Sequence, residues 1–166
     1  CEPVCPVFAT YHNDEGLNVQ VYNRCIGTRY CANNCPYQVR FFNFWEPVWP
    51  ERMRNHLNPD VTIRSRGIME KCSFCVHRIR RATRTARSQD RQLLDGEIQT
   101  ACSSACPTSA LNFGNFNDPN SKVSKMRKDQ RHYTLLDQFA TEPNVIYLAK
   151  VDTDRKVGSG EAASHG

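Results

Sequence analysis

One phrase, C-x3-C-P, occurs three times in this chain, and it restricts the fold more than any other feature. It appears as Cys1-x3-Cys5-Pro6, Cys31-x3-Cys35-Pro36 and Cys102-x3-Cys106-Pro107. The second copy follows Cys25-x2-Thr28-x2-Cys31, and the third follows Cys72-x2-Cys75 after a gap of 26 residues. These blocks use all nine cysteines. Disulfides give no reason to repeat such a unit, and an odd number cannot pair off within the chain. Zinc favours closed sets of CxxC pairs or of Cys with His. Here His12, His56, His77, His132 and His165 are scattered. Only His77 lies near a cysteine, and it reads as a surface or packing residue.

Iron–sulfur clusters account for the spacing. Bacterial ferredoxins use C-x2-C-x2-C-x3-C-P, in which three cysteines of a tight loop grip one cubane and the fourth, before proline, crosses to another. In the second block the second cysteine position holds Thr28. A protonated hydroxyl is a much poorer iron ligand than a thiolate. The expected outcome is a [3Fe–4S] cluster held by Cys25, Cys31 and a crossing Cys5, of raised potential. The competing outcome is a [4Fe–4S] cluster completed by Thr28 or water. By the same crossing rule Cys1 and Cys35 share a [4Fe–4S] cluster. Cys72, Cys75 and Cys102 hold a second, and Cys106 contributes to a third. Four such clusters, one a three-iron site, call for about fifteen cysteines. Nine are present, so the rest are expected upstream or in a partner.

The remaining composition agrees with a fold held partly by metal. Of 166 residues, 39% are apolar, and that share includes the cysteines. With a mean hydropathy of −0.63, the aliphatic core is modest and thiolate–metal bonds are expected to staple the fold. No run of 18 apolar residues is present, so no membrane span is expected. The formal charge is +5. Much of it lies in Arg78 to Arg81 with Arg84 and Arg87, and in Lys122 to Arg131. Each reads as a solvated helix face or as a docking surface that screens anionic clusters. No nucleic-acid partner is expected. No acid–base pair, nucleophile triad or phosphate-binding glycine loop is visible, so no catalytic residue is expected either.

The fold class expected is α+β: tandem bacterial-ferredoxin-like units with short strands, short helices and long loops round the clusters. Asn13 to Gly16 reads as a turn, and Leu17 to Tyr22 as a half-buried strand. Each Cys-Pro is expected to open a short helix, because proline suits a first helical turn. Phe74 to Arg87 has Ile79, Ala82 and Ala86 at helical spacing, which predicts a basic amphipathic helix. Thr108 to Phe113 is expected to return as a strand, Ser121 to Asp129 to form a short helix and Asn144 to Lys150 a final strand. In the cysteine-free stretch 36–71, Phe41, Phe42, Phe44, Trp45 and Trp49 fit a cover over a cluster or ordinary core equally. Pro47, Pro50 and Pro59 oppose long elements there. Residues 1–150 form the expected poly-cluster domain, and 151–166 a flexible tail.

The order of these blocks resembles the four-cluster iron–sulfur subunits of molybdopterin enzymes such as the dimethyl sulfoxide, polysulfide and tetrathionate reductases. The stretches from Cys25 to Tyr37 and from Arg66 to Ile79 are similar, more closely still, to the iron–sulfur subunit of bacterial alternative complex III. The resemblance covers about residues 1–150. It implies an electron relay for quinol oxidation, peripheral to the periplasmic face of the inner membrane. Electrons would enter at the three-iron cluster and pass towards c-type haems, and on to cytochrome c or a terminal oxidase. The partners implied are an upstream molybdopterin-like domain or chain that supplies the missing cysteines, an integral membrane quinol-binding subunit and c-type cytochrome subunits. The alternative implied is the electron-transfer subunit of a molybdopterin reductase. The chain opens inside a motif and without Met, so it is expected to be the C-terminal part of a longer polypeptide.

Overall fold

The computed structural model describes residues 1–151, so the tail expected over 151–166 lies outside them but for Val151. The chain divides into two compact units, one from Cys1 to Phe113 and one beginning at Gly114. Both are small mixtures of short helices and two-stranded ladders.

In the first unit β1 (Thr10–His12) pairs antiparallel with β2 (Asn18–Gln20). The turn between them is the one expected. Gly16 takes φ of 78° and donates its N–H to the Asn13 carbonyl at 2.9 Å, while Asn13 Oδ1 accepts from the Leu17 N–H at 2.8 Å. A left-handed residue closes such loops, and glycine takes that conformation without a Cβ clash. The strand is shorter than expected because Tyr22–Arg24 winds into a single 3₁₀ turn.

A one-turn helix, α1 (Tyr30–Asn33), follows. Next comes the ladder β3 (Phe41–Phe42) with β4 (Met69–Glu70), in the register Phe41 to Glu70 and Phe42 to Met69. The prolines act as expected on the connection, whose one regular piece among the described residues is the 3₁₀ stretch Glu51–His56. Gly27 packs where this ladder closes: a Cβ there would lie 2.1 Å from the Gly67 carbonyl oxygen and 2.9 Å from Phe42. The aromatic run is not ordinary core. Phe44 is 70% and Trp45 78% exposed, because a two-residue ladder has no second layer to bury them.

Helix α2 (Val76–Ser88) buries Ile79 and Ala86 and turns its arginines outward, as the spacing requires. It starts two residues later than expected. Phe74 and Cys75 are left-handed, with φ of 54° and 52°, so the cysteine loop holds them out of the helix. The last helix of this unit, α3 (Ala101–Ser104), is capped by Thr100, whose hydroxyl accepts from the Ser103 N–H at 3.3 Å.

Two expectations are corrected here. The one-turn helices precede Cys35-Pro36 and Cys106-Pro107 rather than opening from them. A residue before proline is driven out of the helical region, so the helix must end there. Residues 108–113 form no strand, since Ser109 is left-handed at φ of 53° and no described strand pairs with this segment.

In the second unit the expected helix is α4 (Lys122–Arg127). Ser121 caps it, accepting from the Ser124 N–H at 3.2 Å and donating to the Asn115 carbonyl at 2.7 Å. The final strand shrinks to β6 (Tyr147–Leu148), paired with β5 (His132–Tyr133) and sealed by Tyr133 stacked on Tyr147.

Gly27→Ala is expected to lower stability by about 3 kcal/mol or more, since left-handed strain adds to a clash with immovable backbone. Gly16→Ala, where a Cβ meets nothing within 4 Å, is expected to cost about 1–2 kcal/mol. Urea unfolding midpoints compare the two; equal shifts would contradict the packing at Gly27.

Candidate metal centre

The three Cys-Pro phrases fold alike. At each, the cysteine carbonyl accepts from the N–H three residues on: Phe8 to Cys5 at 3.3 Å, Gln38 to Cys35 at 3.2 Å and Ser109 to Cys106 at 3.1 Å. Each of those third residues is left-handed, with φ of 50°, 53° and 53°. Each cysteine N–H in turn bonds three residues back, to Glu2, Ala32 and Ser103. Proline fixes the second position of such a turn. A left-handed residue after a right-handed turn curls successive amides towards one point, which makes a nest for an anion.

In two of the three turns, at Cys5 and Cys106, sulfur sits at that point. Ala9 N–H donates to Cys5 Sγ at 3.2 Å. Burial pushes the Cys5 thiol up, and the amides of Ala9, Val7, Thr10 and Phe8 together bring it below its ordinary value. The Thr108 hydroxyl, then the amides of Leu111 and Ala110, hold the Cys106 thiol down to about 7. Both turns therefore favour thiolate, the form that binds metal.

The helices carry the cysteines four residues earlier. Cys31 is the second residue of α1 and is buried; Cys102 is the second residue of α3 and is exposed, 3.1 Å from the Thr100 hydroxyl. Their C-caps match closely, at φ −90°, ψ −4° for Asn34 and φ −87°, ψ −5° for Ala105. The remaining loops meet donors from distant segments. Cys25 Sγ accepts from the Met69 N–H of β4 at 3.4 Å. Cys72 Sγ accepts from the Phe74 N–H at 3.4 Å. Cys75 Sγ accepts from the Ala101 N–H at 3.3 Å, so the start of α3 returns to the Cys72–Cys75 loop across the long connection. Thr28 is exposed in the loop between Cys25 and α1.

Around Cys1 the donors are side chains. Arg40 Nη2 lies 2.9 Å and Asn18 Nδ2 3.4 Å from its sulfur. Arg40 is buried and Thr10 almost wholly so. Burial first, then the charge of Arg40, push the half-buried Lys71 ammonium down to about 8. Reasoning from the sequence missed Arg40, Thr10, Asn18 and Gln20. The legible trace of Arg40 is a charge set between Val39 and Phe41, five residues after Cys35.

All nine cysteines are free. No described group of three or more Cys, His, Asp and Glu is gathered as tightly as a single metal ion needs. The structure brings the Cys72–Cys75 loop to the start of α3, and Cys25 to β4. No recorded contact joins Cys5 to Cys25 or Cys31, or Cys1 to Cys35. The donor set fits iron–sulfur cages, which hold thiolates further apart than one ion does. Seven of the nine sulfurs, at Cys1, Cys5, Cys25, Cys72, Cys75, Cys102 and Cys106, face N–H or O–H groups. Such donors orient cluster thiolates and tune their charge.

No family model matches the chain. The iron–sulfur cluster-binding subunit of menaquinone reductase from Nitratidesulfovibrio vulgaris is 46% identical over 162 residues, covering 95% of this chain and 64% of that subunit. Iron–sulfur subunit 1 of the Hdr-like menaquinol oxidoreductase of Archaeoglobus fulgidus is 37% identical, covering 89% of this chain and 51% of its own length. The iron–sulfur subunit of arsenate respiratory reductase from Shewanella sp. is 30% identical, covering 89% of this chain and 69% of that subunit. The chain thus spans between about half and about two thirds of the length of these curated relatives. With the cysteine turns that these likenesses span, the conclusion is that the chain belongs to the family of electron-transfer iron–sulfur subunits of molybdopterin oxidoreductases and their quinone-linked relatives.

Proposed function

We propose that this chain is the electron relay of a membrane-bound quinol oxidoreductase of the alternative complex III type, peripheral to the periplasmic face. The observation that carries the quinone link is the 46% identity, over nearly the whole chain, with the menaquinone reductase subunit. The finer assignment leans on the Cys25 to Tyr37 and Arg66 to Ile79 phrases. When bound, clusters of this kind pass single electrons and so link a two-electron quinol to one-electron acceptors.

The chain's own residues do the holding and insulating. Cys5, Cys25 and Cys31 would hold a [3Fe–4S] cluster, because Thr28 leaves one corner without thiolate. Cys1 and Cys35 would hold a [4Fe–4S] cluster, and Cys72, Cys75 and Cys102 another. Cys106 would contribute to a third, with the remaining ligands coming from outside this chain. The matched helix–cap–turn units at Cys31–Cys35 and Cys102–Cys106 support tandem ferredoxin-like halves. No described helix is long and apolar enough to cross a membrane, which fits a peripheral placement beside an integral quinol-binding subunit. The exposed Phe44, Trp45 and Val48 supply apolar surface for contact with another subunit.

The likeness to the arsenate reductase subunit favours a second reading, in which the chain feeds electrons to a molybdopterin reductase. Metal and haem analysis of the isolated complex separates the two: c-type haem without molybdenum supports the first, and molybdenum without haem supports the second.

Thr28→Cys is expected to convert the three-iron site to a four-iron one and lower its potential; an unchanged EPR spectrum of the oxidised protein would contradict the assignment. Cys102→Ser is expected to disturb one four-iron cluster and spare the three-iron resonance. Selective loss of that resonance would overturn the pairing of ligands.

A further inference from the structure

We propose that Arg40 is a positioning residue for the cluster that Cys1 ligates: it supplies a buried positive charge that raises that cluster's potential. Through Gln20 and Met69 it also joins the Cys1 thiolate to the Cys25 thiolate. The inference rests on the reading of Cys1 and Cys25 as cluster ligands.

Arg40 is only 7% exposed. Its Nη2 donates to Cys1 Sγ at 2.9 Å, Thr10 Oγ1 at 2.8 Å and Asn18 Oδ1 at 2.5 Å, and its Nη1 donates to Gln20 Oε1 at 3.2 Å. None of these partners is a carboxylate, and among the described residues Arg40 takes part in no recorded ion pair. A buried cation without a counter-charge is strongly unfavourable. Of its four partners only the Cys1 sulfur can carry negative charge. Thr10, Asn18 and Gln20 all come from the β1–β2 hairpin, so they aim the planar fork at that sulfur and fix its orientation.

The contacts continue past Arg40. Gln20 Nε2 donates to the Met69 carbonyl at 2.5 Å, and the Met69 N–H donates to Cys25 Sγ at 3.4 Å. Met69 is 1% exposed. A hydrogen-bonded path thus runs from Cys1 through Arg40, Gln20 and Met69 to Cys25. Those two cysteines are assigned to the neighbouring four-iron and three-iron clusters. A cation against the ligand sulfur favours the more negative, reduced state of one cluster, while the path fixes the distance to the other.

The test is an EPR-monitored redox titration of the whole complex that contains this chain. In Arg40→Gln the midpoint of one four-iron cluster, the same one disturbed by Cys1→Ser, is expected to fall, with a smaller change at the three-iron cluster. Arg40→Lys keeps the charge and loses the fork, and its midpoint is expected nearer the wild-type value. Full iron and sulfide content with an unchanged midpoint in Arg40→Gln would overturn the proposal. Should that variant not assemble, wild-type complex grown on ¹⁵N-guanidino arginine decides. A nitrogen coupling to the reduced cluster that vanishes in Arg40→Lys supports the role, and no coupling in the wild type refutes it. A Cys1→Ser complex in which no cluster is altered would instead remove the ligand reading beneath it.

Discussion

The structure depends on sulfur as an acceptor, because little else in the first unit is buried. Among the described residues the buried apolar side chains are Ala9, Cys31, Met69, Ile79, Ala86 and Val123, and the last belongs to the second unit. So few apolar groups cannot offset the entropy of ordering a chain of this length. What recurs instead is an N–H or O–H group placed within about 3.5 Å of a cysteine sulfur, the reach of such a bond. On the proposed reading, metal binding to these thiolates would supply the missing folding free energy. The two-residue and three-residue ladders bring the donors: β4 delivers the Met69 amide to Cys25, and the β1–β2 hairpin delivers Asn18 to Cys1.

Repetition of one turn gives the first unit its regularity. Phe8, Gln38 and Ser109 share nothing as side chains, yet all three sit in the same left-handed conformation three residues after a cysteine. Non-glycine residues occupy that region at a cost of about 1–3 kcal/mol and persist there only when the surroundings fix them. Proline on one side does so at all three, joined at Cys5 and Cys106 by the sulfur-directed amides on the other. The strain is a consequence of turning amides towards a thiolate, and it falls where the proposed metal chemistry would be.

Much of this was legible in the sequence. The C-x3-C-P spacing located the cysteine blocks, Asn13 and Gly16 located the hairpin, and Ile79, Ala82 and Ala86 located α2. Less legible was the order of helix and turn. The preference of proline for a first helical turn competes with the bar it places on a helical residue before it, and the second effect won at Cys35 and Cys106. Thr108 to Phe113 carries strand-forming residues, but a strand needs a partner, and Ser109 is spent on the cysteine turn. Arg40 could not be placed at all, because its partners lie between 20 and 39 residues away and three of the four belong to a hairpin with no cysteine of its own. The exposed aromatics gave no periodic pattern from which to infer a covering layer.

The claim beneath all of this is that the cysteine sulfurs bind iron within inorganic sulfide cages. Iron-57 Mössbauer spectroscopy of the anaerobically purified complex addresses it most directly. Quadrupole doublets of cuboidal clusters are expected, with a minority three-iron component in the oxidised state that disappears as its own fraction on reduction. A protein without iron, with zinc in its place or with its cysteines joined to one another, would contradict the reading from its first step.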